Sequence, residues 1–194
     1  MTLAIRVFRG PDIAAMIDPF ARLRMAVFRD WPYLYDGDLE YERRYLADYA
    51  AADSLLVAAF DGDTLVGGST GLPLSNHAEV AASFASTLPD HINKIYYCAE
   101  SVLLSKFRGQ GVYREFFAQR EAHARGLNCT YATFCAVIRP KDHPLRPTDD
   151  QPIDPIWHRY GYAPMPGVTT TIRWRDIGAD RETAKPLQVW IKPL

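Results

Sequence analysis

One turn constrains this chain more than any other feature: Ser105-Lys-Phe-Arg-Gly-Gln-Gly-Val-Tyr113. Before it, Ile95 to Leu104 is dense in aromatic and β-branched residues and reads as a buried strand. After it, Val112 to Arg125 reads as a helix, with Gly126 as its C-cap. A glycine turn between a strand and a helix offers free backbone N–H groups at the positive end of the helix, which suits an anion. The chain must therefore place an open, positively polarised turn at the end of a core strand.

The neighbouring segments predict the rest of the architecture. Residues 2–8 form an opening strand, and Gly10-Pro11-Asp12 starts a helix whose apolar positions include Phe20, Leu23, Val27 and Phe28. Pro19 kinks or splits that helix. An aromatic loop, Trp31 to Asp38, leads to a second helix at about Leu39 to Ala51, with Tyr41, Tyr45 and Tyr49 on one stripe. Ser54 to Asp61 and Thr64 to Leu72 form a hairpin around Gly62, and Gly67-Gly68 marks a bulge or a close approach. A short helical piece, Glu79 to Leu88, ends at Pro89. Asn128 to Ile138 is another core strand, and a proline-stiffened loop runs from Arg139 to Pro155. Ile156 to Tyr162 is a short helix ending at Gly161, and Val168 to Arg175 and Leu187 to Lys192 are the last strands. The 194 residues thus read as one α/β unit without internal linker or repeat.

Composition narrows the function classes. A net charge of -1 gives no basis for nucleic-acid binding by bulk attraction. No apolar run approaches the ~20 residues of a membrane span, and the first eight residues read as a strand rather than a signal peptide. Cys129 and Cys135 on one strand would be separated by ~20 Å, too far to bridge. With Cys98 they fit small core residues in a reducing cytoplasm. His77, His91 and His123 have no partners at metal-ligand spacing, so no metal is expected.

Two phosphate-binding patterns fail at the turn. A dinucleotide fingerprint needs a small residue where Arg114 stands, and a P-loop needs Lys-Ser or Lys-Thr where Val112-Tyr113 stands. What remains is Arg108-Gly-Gln-Gly111 between strand and helix. This resembles the GNAT superfamily of CoA-dependent N-acyltransferases, whose signature runs Gln/Arg-x-x-Gly-x-Gly/Ala. Tyr113 stands where a small residue is usual. The order of elements and Trp157-His-Arg-Tyr-Gly-Tyr162, like the family's late helix, extend the resemblance over nearly the whole chain.

The resemblance implies a mixed central sheet with a splayed pair of parallel strands, helices on both faces, and acetyl-CoA as acyl donor. Val102, Leu103 and Leu104 would lie along the pantetheine arm. The amides of Arg108, Gly109, Gln110, Gly111, Val112 and Tyr113 would cradle the pyrophosphate. The implied reaction is direct attack of a primary amine, on a small molecule or a peptide, upon the thioester. A non-catalytic acyl-CoA sensor and an O- or longer-chain acyltransferase are the alternatives, and a homodimer is compatible with the family.

Within that frame Glu100 is the candidate base, as the one acid on the strand bordering the acyl group. The family's tyrosine acid falls at Trp157, so Tyr160 and His158 are the candidate donors to the leaving thiolate, with solvent as the third source. Trp31, Tyr33 and Tyr35 would suit a cationic acceptor, and Arg139 and His143 a carboxylate on it.

Overall fold

The computed structural model describes residues 3–51, 53–84 and 89–194. Strand β1 (Ala4–Arg9) leads through a 3-10 turn (Gly10–Met16) into helix α1 (Ile17–Phe28) and helix α2 (Leu39–Ala47). The hairpin β2 (Leu55–Asp61) and β3 (Thr64–Pro73) follows, then α3 (Ala78–Phe84). Next come β4 (Ile95–Tyr97), β5 (Ser101–Leu103), α4 (Val112–Gly126), β6 (Tyr131–Val137) and α5 (Asp154–Arg159). Strands β7 (Ala163–Trp174) and β8 (Thr183–Pro193) close the order. The sheet runs β1-β2-β3-β4-β6-β8-β7, with β5 also on β3. Its pairs are antiparallel except β4 with β6.

The stretch expected as one strand from Ile95 to Leu104 is two strands separated by a bulge. Ala99 N–H donates to Thr70 O at 3.2 Å, and Glu100 O accepts from Thr70 N–H at 3.2 Å, so two residues oppose one. The bulge follows the last tie to β6, where Cys98 N–H donates to Thr133 O at 2.8 Å. Past it, β5 stays with β3 while β6 stays with β8, and the parallel pair splays open. Apolar patterning does not reveal a bulge, because both flanks remain buried.

Bonding alternates along an antiparallel ladder, and this assigns the open edge. Val102 pairs with Gly68, and Leu104 N–H donates to Val66 O at 3.0 Å. The intervening Ser101 and Leu103 therefore turn their N–H groups towards the gap. Of the three residues expected along the pantetheine arm, Leu103 alone keeps an outward backbone; Val102 and Leu104 are spent on β3.

Gly67 and Gly68 let helices reach β3 from both faces. A Cβ on Gly68 would lie 2.4 Å from the Phe20 ring of α1. On Gly67 it would lie 2.6 Å from Leu103 and 3.3 Å from Phe116 of α4. Successive strand residues face opposite sides, so α1 and α4 pack on opposite faces. Gly68→Ala should cost about 1–3 kcal/mol through displacement of the buried Phe20 ring, read from urea unfolding.

Several boundaries differ from the sequence reading. The first helix divides at Met16–Ile17, ahead of Pro19, which sits in the first turn of α1 where its missing N–H costs nothing. Gly126 lies inside α4, and Asn128, at φ 58°, takes the left-handed position beyond it. Strand β7 begins at Ala163 rather than Val168, because an irregularity between Pro164 and Thr169 hides the alternation. Residues 85–88 of the expected helix at 79–88 lie outside the described residues, and Pro89 opens a 3-10 helix, Pro89–Lys94.

Candidate active site

Beside the splay lies an open-sided cavity of about 130 Å³, bounded by α1, α2, the aromatic loop, the bulge and the β6–β8–β7 side of the sheet. Its charged centre is Arg24. Arg24 Nη1 bonds Glu100 Oε2 at 2.5 Å, and Nε bonds Glu42 Oε2 at 2.5 Å. Thr70 Oγ1 donates to Glu100 Oε1 at 2.6 Å. All four side chains are buried. The guanidinium lies over Phe28 and Tyr45, 5.0 and 4.6 Å from their ring centroids. Burial alone would push the Arg24 pKa down, but Glu100 and Glu42 raise it well above the ordinary value.

Glu100, expected as the base, lies at the bulge between β4 and β5 and lines this cavity. Arg120 supports the bulge from α4, with Nη1 donating to Glu100 O at 3.2 Å. The second Glu42 oxygen, Oε1, is buried and makes no hydrogen bond within normal geometry. The nearby Tyr35 phenol has its pKa raised by burial and by that carboxylate. Cys135 also lines the cavity, and burial pushes its thiol up to about 12, so it is a neutral wall and not a nucleophile at neutral pH.

The expected acceptor residues divide into two groups. Tyr33 and Tyr35 line the cavity. Trp31 lies outside it, its ring 5.3 Å from that of His143, whose Nδ1 accepts from Leu145 N–H at 3.2 Å. Arg139 is turned inward and fully engaged, contrary to the expectation that it binds a substrate carboxylate. Its Nε donates to Pro32 O at 2.8 Å, Nη2 to Tyr33 O at 2.5 Å, and both Nη groups reach Asp176 at 2.8–3.0 Å. Arg139 therefore fastens the aromatic loop over the cavity.

Burial favours a neutral Asp176, but Arg139 and Lys185 outweigh it and hold the carboxyl below its ordinary value. A depressed folded pKa gives stability that is present above the unfolded value of about 3.9 and is lost as pH falls through the folded one. Asp176→Asn should therefore melt below wild type at pH 7, and the gap should close from about pH 4 downwards in thermal denaturation.

At the far end of β5 the turn is exposed and left-handed, with φ 77° at Gly109 and 84° at Gly111. No atom lies within 4 Å of a Cβ built at either residue, so the backbone angle, and not crowding, requires glycine. Gly111 caps α4 without a side chain, which leaves the amides of Val112 and Tyr113 open, whereas Arg114 N–H donates to Gly111 O at 3.1 Å and Arg108 N–H, expected in the cradle, donates to Ser105 O at 3.1 Å. Arg108 Nε donates to Leu103 O at 3.3 Å and pins the turn to the strand. These features fit an anionic phosphate group.

The two departures from the GNAT pattern prove to be one contact. Trp157 Nε1 donates to Tyr113 Oη at 2.9 Å, joining α5 to α4. Tyr160 stacks on Phe117 with ring centroids 4.5 Å apart, near that bridge and outside the cavity. His158 is exposed, its ring 5.1 Å from Trp190, and like Tyr160 it does not line the cavity.

Solved acetyltransferases share this fold. One of the GNAT family from Streptococcus pneumoniae matches over 100% of both chains with a TM-score of 0.58 at 11% identity. PaiA N-acetyltransferase from Thermoplasma acidophilum, in complex with coenzyme A, matches over 100% of both chains with a TM-score of 0.56 at 9% identity. YncA from Salmonella typhimurium, with its cofactor acetyl-CoA, matches over 100% of this chain and 95% of its own, with a TM-score of 0.57 at 11% identity. No family model and no curated protein matches the sequence. The chain has the GNAT acetyltransferase fold: a mixed sheet opened at one parallel pair, with helices packed on it.

Proposed function

We propose that this chain is an acetyl-CoA-dependent N-acetyltransferase acting on a primary amine of a small molecule or peptide. One observation carries the reading: the splay between β5 and β6 lies between an anion-ready turn and an open-sided cavity holding Glu100. The outward N–H groups of Ser101 and Leu103 would hold the pantetheine arm, and the turn from Arg108 to Tyr113 the pyrophosphate. Two of the matching acetyltransferases carry acetyl-CoA or coenzyme A, which supports that assignment.

Acetyl-CoA supplies a thioester carbon to which the amine nitrogen bonds as the carbon–sulfur bond breaks and its electron pair leaves on sulfur. The amine proton passes to Glu100, directly or through water. A proton returns to sulfur from Tyr160, from His158 or from solvent, and since neither side chain lines the cavity, solvent needs no rearrangement of the chain. An outward N–H of β5 would polarise the carbonyl.

Free-thiol release from acetyl-CoA, measured against a panel of primary amines, tests the reading. Amine-dependent release is expected, and Arg108→Ala should raise the KM for acetyl-CoA while leaving kcat near wild type. Binding of CoA without turnover of any amine would establish a non-catalytic acyl-CoA-binding protein instead.

A further inference from the structure

We propose that the acceptor is a small cationic amine bearing a single ring-sized apolar group. Its ammonium would lie at Glu42 and Glu100, and its ring against the aromatic surface that Tyr33 and Trp174 share. This inference rests on the acyl-transfer reading and specifies its substrate.

Charge decides the first half. The buried centre of the cavity holds one cation, Arg24, against two carboxylates, which leaves one negative charge in excess. Arg24 is engaged by both acids and is therefore no receptor for a substrate anion. Arg173, the other cation on the lining, is exposed, and its Nη2 donates to Glu182 O at 3.3 Å. Glu42 Oε1 is a buried acceptor that makes no hydrogen bond of normal geometry, the Tyr35 phenol interacting with this carboxylate without completing one, an arrangement that a protein ordinarily avoids. An ammonium group brings three donors and the missing charge to that place.

The walls decide the second half. Phe28, Tyr33 and Trp174 form a continuous aromatic surface, with ring centroids 4.5 Å apart from Phe28 to Tyr33 and 6.0 Å apart from Tyr33 to Trp174. Such faces favour a ring and a neighbouring cation over a hydroxyl-rich substrate. Volume sets the limit. The cavity of about 130 Å³ is close to the roughly 150 Å³ of an apolar cavity known to take up benzene. One ring fits, and among the described residues the lining has no carboxylate besides Glu42 and Glu100, both held at Arg24, so a diamine's second ammonium has no partner.

The test is calorimetric titration of the full chain at pH 7 with 2-phenylethylamine, its neutral isostere 2-phenylethanol, 3-phenylpropionate and butane-1,4-diamine, each with and without free CoA. The amine should bind at least about tenfold more tightly than the alcohol, as expected for a charge-assisted contact. The diamine and the acid should bind more weakly still. Glu42→Gln should erase the advantage of amine over alcohol. If that variant fails to fold, the wild-type comparison decides alone.

Equal affinity for amine and alcohol, preference for the diamine or the acid, or no amine binding in either state would overturn the proposal. The rise in melting temperature on adding CoA reports separately on the acyl-transfer reading. CoA stabilisation without amine binding refutes the acceptor alone, whereas amine binding without CoA stabilisation refutes the acyl-donor site.

Discussion

Arg24→Met is expected to lower stability by about 3–5 kcal/mol, the range seen when one partner of a buried ion pair is removed. The loss exceeds that of a surface ion pair because two buried carboxylates, Glu42 and Glu100, would then confront each other without the cation between them. Packing adds to it, since the guanidinium also fills the space between Phe28 and Tyr45. Two buried acids without a cation are relieved by taking up a proton. The deficit should therefore shrink as pH is lowered from 7 to 5. Urea unfolding at both pH values checks this, and a deficit independent of pH would mean that packing, not charge, sets the role of Arg24.

Glu100→Gln is expected to reduce kcat by about 10²–10⁴-fold, the usual contribution of a positioned proton acceptor, with little change in the KM for acetyl-CoA. The amide keeps the size of the carboxylate and can still accept from Thr70, so the bulge should survive, and melting curves would verify it. The pH–rate profile separates the two roles open to Glu100. Loss of the proton acceptor alters the acid limb, whereas a purely structural defect lowers the whole curve without changing its shape. An unchanged profile and unchanged turnover would remove Glu100 from the mechanism.

Local rules expressed themselves clearly at some places in this chain and not at others. The turn from Ser105 to Tyr113 was readable because positive φ at Gly109 and Gly111 leaves a mark in residue type. Gly67 and Gly68 were readable for a related reason, as missing side chains where two helices approach. The bulge after Tyr97 was not, since it arises from pairing with Thr70, thirty residues away. Arg24 and Glu42 were missed although each carried a signal. Arg24 lies one turn beyond Phe20 on the apolar stripe of α1, and Glu42 lies between Leu39 and Leu46 on that of α2. A charge on an apolar face has to meet its opposite inside the protein. Arg139 illustrates the converse. In a polar loop with His143 and Arg146 it reads as a ligand group, but its partner Asp176 is distant in sequence.

The bridge from Trp157 to Tyr113 has a consequence for how such chains diverge. The indole N–H and the phenol oxygen are each a poor fit to the GNAT pattern when taken singly, yet each satisfies the other. Loss of the phenol would strand a part-buried donor, and loss of the indole would remove the anchor of a side chain packed beside Phe117. The two positions are therefore tied as a unit of inheritance. In any descendant of this chain, a small residue at 113 should arrive together with a replacement for the tryptophan at 157.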